Sequence, residues 1–204
     1  MLLPIITTHI YVKYLNMFDD YKTKESVIVV YTGDGKGKTS ASLGLMARAL
    51  GAGWSVAYIQ FIKSWKVNEH EFISTIQPVY KDKLFFYKGG AGFYNAGDMS
   101  AKGVSEKEHK NMAKDTLQKA LSCATGGQYD LVVCDEINNA VNDGLLTSKD
   151  LEGLINGRSA KTSLCLTGRN FPNKLLPMVD IATNMTKIKH HFDEKYLANP
   201  GIDF

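Results

Sequence analysis

The stretch of this chain best equipped for chemistry is Thr32-Gly33-Asp34-Gly35-Lys36-Gly37-Lys38-Thr39, followed by Ser40. It reads as a phosphate-binding loop of the form G-x-x-x-x-G-K-[ST]. Aligning Gly37-Lys38-Thr39 with the end of that pattern puts Thr32 where the first glycine belongs, and the glycine comes one place later, at Gly33. The loop is therefore one residue tighter than the common form. Glycines let backbone N–H groups turn toward an anion. Lys38 brings a full positive charge, and the Thr39 hydroxyl can ligate magnesium. Such a loop binds a triphosphate, and its length decides how the triphosphate lies and which bond is offered for reaction.

Asp135-Glu136 is the second chemical signature. Either carboxylate, closing an apolar strand, can hold magnesium directly or through water opposite Thr39. Arg169 follows a later strand at the same edge, where its fork can clamp phosphate oxygens. Arg48 and Lys63 are weaker candidates for the same task. His190-His191 is a tempting metal pair, but adjacent side chains diverge on a strand or helix, so a structural or surface role is expected. No Ser-His-Asp set and no other metal-ligand spacing occurs.

These residues need a frame to hold them. Residues 27–31 (VIVVY) form a β-branched run suited to a buried parallel strand, and residues 40–50 (SASLGLMARAL) have helical spacing. A second strand is expected over 55–62, a loop with a short helix over 64–78, and a third strand over 84–87. Residues 89–103 hold five glycines with Phe93, Tyr94 and Asn95, the composition of a functional loop. Ser105 and Glu108 form a capping box opening a helix that runs toward Cys123. Strands follow at 130–134, 162–167 and 181–188, with helices after Glu136, over 148–155 and over 175–179. This alternation predicts an α/β fold. It has a mostly parallel central sheet of about six strands with helices on both faces and ligands at the carboxyl ends.

With 204 residues, one domain with a sizeable core is expected. The net charge of +3 and the lack of basic runs argue against a nucleic-acid partner. No span is apolar enough for a membrane, and three unclustered cysteines, Cys123, Cys134 and Cys165, suit a reducing cytoplasm. Residues 1–24 read as an N-terminal extension, flexible or serving as a subunit arm. Two readings of it stand: translation starting at Met17, or a segment 5–15 that packs on a partner subunit.

From about residue 27 to 204 the chain resembles the ATP:corrinoid adenosyltransferases of bacterial cobalamin synthesis and salvage. The resemblance rests on VYTGDGKGKTSASLGLMARALGAG (30–53), IQFIKSW (59–65), AGF (91–93), LVVCDEINNAVNDGLL (131–146), LTGR (166–169) and IKHHFDEKYLANPGIDF (188–204). It implies a RecA-like P-loop fold over 25–204, usually homodimeric. It also implies transfer of the 5′-deoxyadenosyl group of ATP to a Co(I) corrinoid, with triphosphate leaving. By position, Gly33, Asp34, Gly35, Lys36, Gly37, Lys38, Thr39 and Ser40 match the phosphate loop, and Thr39 and Glu136 match the Mg2+ ligands. Arg48, Lys63 and Arg169 match basic positions around ATP, and Glu69 matches a family glutamate counted with the corrinoid-binding residues. Phe93 matches an aromatic that displaces the lower axial ligand of the corrinoid, with Tyr94 beside it. Asn95 departs from the tryptophan of some members. The family also implies an electron donor such as a reduced flavoprotein. Two other classes compete: an ordinary P-loop ATPase or kinase, and a non-catalytic ATP- and corrinoid-binding sensor.

Overall fold

The computed structural model describes residues 20–63, 67–92, 94 and 103–203. Phe93, Asn95, and the 1–19 part of the N-terminal extension lie outside the described residues. The strands are β1 (Ile28–Thr32), β2 (Val56–Gln60), β3 (Leu84–Lys88), β4 (Leu131–Asp135), β5 (Ser163–Thr167) and β6 (Ile181–Asn184). The helices are α1 (Lys38–Gly51), α2 (Asn68–Tyr80), α3 (Glu106–Thr125), α4 (Ile137–Asn142) and α5 (Ser148–Gly157). The sheet order is β3-β2-β4-β5-β1-β6, and every pairing is parallel.

Alternation along the strands divides the core in two. Val30, Ala57, Ile59, Val132, Cys134, Leu164 and Leu166 face α3, α4 and α5 on one side. Val56, Tyr58, Leu131, Val133 and Cys165 face Met46 and Leu50 of α1 and Ile73 of α2 on the other. Strands buried on both faces must be apolar nearly throughout, so a polar residue among them stands out. Gln60, Asp135 and Thr167 are three such residues, each the last of its strand and each fully buried. All three cysteines are buried and free.

The capping box at α3 is as expected: Glu108 N donates to Ser105 Oγ (3.3 Å), and Ser105 N donates to Glu108 Oε2 (2.7 Å). Three elements differ from expectation. α2 is a 13-residue helix, not a short one, with Pro78 tolerated in its last turn. Residues 173–178 wind as a 3-10 turn, since Pro177 lacks the N–H that a longer helix would use. β6 spans only Ile181–Asn184, because beyond it Met185 turns to serve the phosphate loop instead of continuing beside β1. Among the described residues no helix is long and apolar enough to cross a membrane.

Candidate active site at the carboxyl edge of the sheet

β1 delivers the chain to the phosphate loop and α1 takes it away. The loop is shaped from behind by the segment after β6. Gly35 N donates to the carbonyl of Met185 (2.7 Å), Met185 N donates to that of Thr32 (2.7 Å), and Lys187 N donates to Asp34 Oδ1 (3.2 Å). A Cβ on Gly33 would lie 2.5 Å from Met185 O, and one on Gly35 2.7 Å from the same atom. Glycine is thus required where backbone meets backbone. Lys38 Nζ donates to the carbonyls of Gly33 (2.8 Å) and Gly35 (2.6 Å), so the lysine curls over its own loop. Burial, and then the positive charge of Arg169, hold the Lys38 ammonium below its ordinary pKa, a site that favours an incoming anion.

Opposite the loop stands a network centred on Asp135. Thr167 Oγ1 donates to Asp135 Oδ1 (2.7 Å), Gln60 Nε2 donates to Oδ2 (3.1 Å), and Thr39 Oγ1 reaches Oδ2 at 3.3 Å. Gln60 is steadied in turn by His70 Nε2 on α2. Glu136 N donates to Thr167 Oγ1 (2.9 Å), which places Glu136 at φ 63°, a left-handed conformation costly for a side-chain-bearing residue. Burial and the neighbouring Asp135 charge push the Glu136 carboxyl up to about 7, only partly offset by Lys63. Lys63 Nζ donates to Glu69 Oε1 (2.7 Å) and lies 3.9 Å from both Asp135 Oδ2 and Glu136 Oε1. Burial pulls the Lys63 pKa down, yet the three carboxylates outweigh it and hold it above normal.

The structure thus gathers Lys38, Thr39, Lys63, Glu69, Asp135 and Glu136, with Arg169 acting on the loop through its charge. Ser40 follows Thr39 in the first turn of α1 and is exposed. Arg48 is exposed in the last turn of α1, about 15 Å along the axis from Lys38 at 1.5 Å per residue, away from this cluster. Glu69, expected among the corrinoid-binding residues, is joined through Lys63 to the Asp135–Glu136 cluster. Tyr94 meets the buried His109 of α3 in a tilted contact, with centroids 5.3 Å apart and the rings at 52°. Gln60, Thr167, His70 and the Met185 carbonyl were not singled out from the sequence. The legible signal for Gln60 and Thr167 was a polar residue ending an apolar strand; nothing in the sequence marks a backbone carbonyl.

One expectation is corrected. The adjacent His190 and His191 converge, with ring centroids 4.8 Å apart and both Nε2 atoms facing Asp203 Oδ2 at 3.8 and 3.5 Å. They straddle the junction of an extended residue and a 3-10 turn, so neither strand nor helix geometry separates them. Phe192 N donates to His190 Nδ1 (3.1 Å), which leaves the proton of a neutral His190 on Nε2, pointing at the carboxylate. One ligand atom from each of His190, His191 and Asp203 lies within 4.8 Å of the others, and neither His191 Nε2 nor Asp203 Oδ2 has a hydrogen-bond partner among the described residues. The backbone N–H of Asn199, then Lys36 and the two histidines, hold the Asp203 carboxyl below its ordinary pKa. Lys36 of the phosphate loop reaches Asp203 O at 3.4 Å, so this cluster also meets the loop.

A tight phosphate loop facing buried carboxylates narrows the family, and sequence comparison decides it. A family model described as ATP:corrinoid adenosyltransferase BtuR/CobO/CobP matches residues 24–204. The chain belongs to that family. A corrinoid adenosyltransferase from Sinorhizobium sp. is 32% identical over 186 residues, covering 90% of this chain and 83% of that protein. Corrinoid adenosyltransferase CobA of Salmonella typhimurium is 29% identical over 187 residues, covering 89% and 87%. Among solved structures, the flagellar accessory protein FlaH of Methanocaldococcus jannaschii aligns with a TM-score of 0.50 at 12% identity, over 84% of this chain and 76% of that one. At that identity the likeness concerns the fold alone, the RecA-like P-loop arrangement expected from the sequence.

Proposed function

We propose that the chain transfers the 5′-deoxyadenosyl group of ATP to the Co(I) centre of a corrinoid, forming a cobalt–carbon bond and releasing triphosphate. The observation that carries this reading is the shortened phosphate loop, pinned to Met185, in a chain of the corrinoid adenosyltransferase family. Co(I) is itself the nucleophile, so the protein has no proton to remove. Its tasks are to align the 5′-carbon with cobalt and to stabilise a leaving group that gains negative charge.

Lys38, the loop N–H groups and the N-terminus of α1 bind the triphosphate in this reading, with Arg169 adding charge from the far side. Thr39 and Glu136 would hold Mg2+, with Asp135 behind them. The fit rests on Glu136 Oε2, a buried oxygen with no hydrogen-bond partner among the described residues. A magnesium ion there supplies positive charge against the departing triphosphate. Lys63 keeps the three carboxylates from repelling one another before the nucleotide arrives. Phe93, Tyr94 and Asn95 are assigned to the corrinoid in the same reading, with Phe93 given the role of excluding the lower axial ligand so that the cobalt is more readily reduced. A reduced flavoprotein as electron donor, a homodimer and a cytoplasmic location belong to the same reading, as does 25–204 as the catalytic domain.

Incubation with ATP, Mg2+ and chemically reduced cobalamin tests it. The expected products are a photolabile alkylcobalamin and triphosphate in equal amounts. ADP and phosphate without alkylation would establish an ordinary ATPase instead.

A further inference from the structure

The turn that carries Arg169 does not hold its own shape. Gly168 has φ 126° and Asn170 φ 53°, so Arg169 lies between two left-handed residues. Such a turn needs support from outside, and α4 supplies it. Arg169 N donates to Asn139 Oδ1 at 2.7 Å, and Asn138 Nδ2 donates to Gly168 O at 3.4 Å. A Cβ on Gly168 would lie 2.8 Å from Asn139 N and 2.9 Å from Asn139 Oδ1, so the two backbones are in contact. One turn further on, Asn170 Nδ2 donates to Asn142 Oδ1 at 2.7 Å. Asn139 and Asn142 share one helix face at a spacing of i, i+3, and present successive carboxamide oxygens to residues 169 and 170.

α4 is also the helix that Glu136 opens. The same short helix therefore carries the metal-site carboxylate at its start and the support for the arginine turn three residues later. We propose that Asn139 is a positioning residue for Arg169, fixing the turn so that the guanidinium is delivered to the triphosphate in register with Glu136. This inference rests on Arg169 being a phosphate-binding group. Asn139 touches no reacting atom; it acts by limiting how far the arginine turn can wander before ATP binds. Because Arg169 is exposed, water can satisfy its N–H when Asn139 is lost. The protein should then remain folded while ATP binding weakens.

The test is ATP affinity by isothermal titration, together with kcat on pre-reduced cobalamin, for Asn139→Ala, Asn139→Asp, Arg169→Ala and the double variant Asn139→Ala/Arg169→Ala. Asn139→Ala should raise the ATP Kd about fivefold, the worth of one ordinary hydrogen bond, with kcat at saturating ATP nearly unchanged. Asn139→Asp keeps the acceptor oxygen and should restore most of the affinity. The double variant should bind no more weakly than Arg169→Ala alone. An unchanged Kd in Asn139→Ala, failure of Asn139→Asp to restore, or a full additional loss in the double variant would each overturn the proposal. Asn139→Ser, whose hydroxyl is too short to reach, replaces the alanine variant should that one fail to fold. If Arg169→Ala binds ATP normally while Lys38→Ala does not, the positioning role falls and the nucleotide site stands. If Lys38→Ala also binds normally, the nucleotide site itself falls.

Discussion

The edge of the sheet at β4 and β5 and the edge at β3 are built by different means. At the first, buried side chains hold one another: Thr167 bridges Asp135 and Glu136, Gln60 and Thr39 close on Asp135, and Lys63 neutralises the cluster. At the second, the chain leaving β3 is held by close approach of its glycine backbone to α3 and to the chain after β2. A Cβ on Gly89 would lie 1.9 Å from Thr116 Oγ1, and one on Gly90 1.9 Å from the Phe61 carbonyl. Gly92 N donates to Ile62 O at 3.0 Å, and Tyr94 then rests on His109. The lesson is a division of labour. In the proposed reading the triphosphate, a fixed array of charge, would be met by the fixed polar groups of the first edge, and the corrinoid by the aromatic residues that follow the glycines of the second.

The sharpest way to break this contrast is at the phosphate loop. Lys38→Ala should lower adenosylation of pre-reduced cobalamin by about a thousandfold, as expected for removal of a charge that stabilises the leaving group. Retained activity, followed by cobalt–carbon bond formation, would remove the loop from the chemistry.

Glu136→Gln should cost about a hundredfold in activity, and it has a second signature. The Glu136 carboxyl is raised in the folded state, so its stabilising contribution is present in acid and is lost as pH rises through about 7. Without metal, the glutamine variant should therefore gain in melting temperature over the native chain at pH 8 and not at pH 5. By the same logic, ATP–Mg2+ binding to the native chain should tighten from pH 6 to pH 8, because the metal takes the ionised carboxylate. A variant less stable than the native chain at both pH values would refute the buried-charge picture.

Thr167→Val probes the network itself. It keeps the shape but leaves Asp135 and the Glu136 N–H without their shared partner, and should destabilise the fold by about 1–3 kcal/mol. Denaturant unfolding gives the value, and an unaltered midpoint would mean that the bridge contributes nothing. On the other edge, Phe93→Ala should leave the ATP Kd and the rate from pre-formed Co(I) nearly unchanged, and slow only turnover that starts from Co(II). Equal loss from both starting states would mean that the two edges are not separate devices.

How much of this was legible in the sequence follows from the range of each interaction. The strand, loop and helix around Lys38 declare themselves because their signals are local: β-branched runs, glycine spacing and helical periodicity. Asp135-Glu136 and Arg169 were legible for the same reason, as polar residues closing apolar strands. The Asp135–Gln60–His70 relay, the support of Gly33 and Gly35 by Met185, and the rest of Arg169 on Asn139 join residues far apart in the chain. No periodicity encodes such contacts. The short β6 and the convergent histidines were misjudged because the C-terminal segment takes its conformation from the phosphate loop it serves, and not from its own residue preferences.

That dependence has a consequence for how the protein comes into being. β1 emerges early in synthesis, yet its two partners, β5 and β6, and the Met185 carbonyl that shapes the loop, come more than 130 residues later. Residues 33–39 therefore cannot assume their nucleotide-binding form on a nascent chain whose C-terminal portion is still inside the ribosome. A chain interrupted before Asn184 would carry every residue of the phosphate loop and still lack the surface against which that loop is formed.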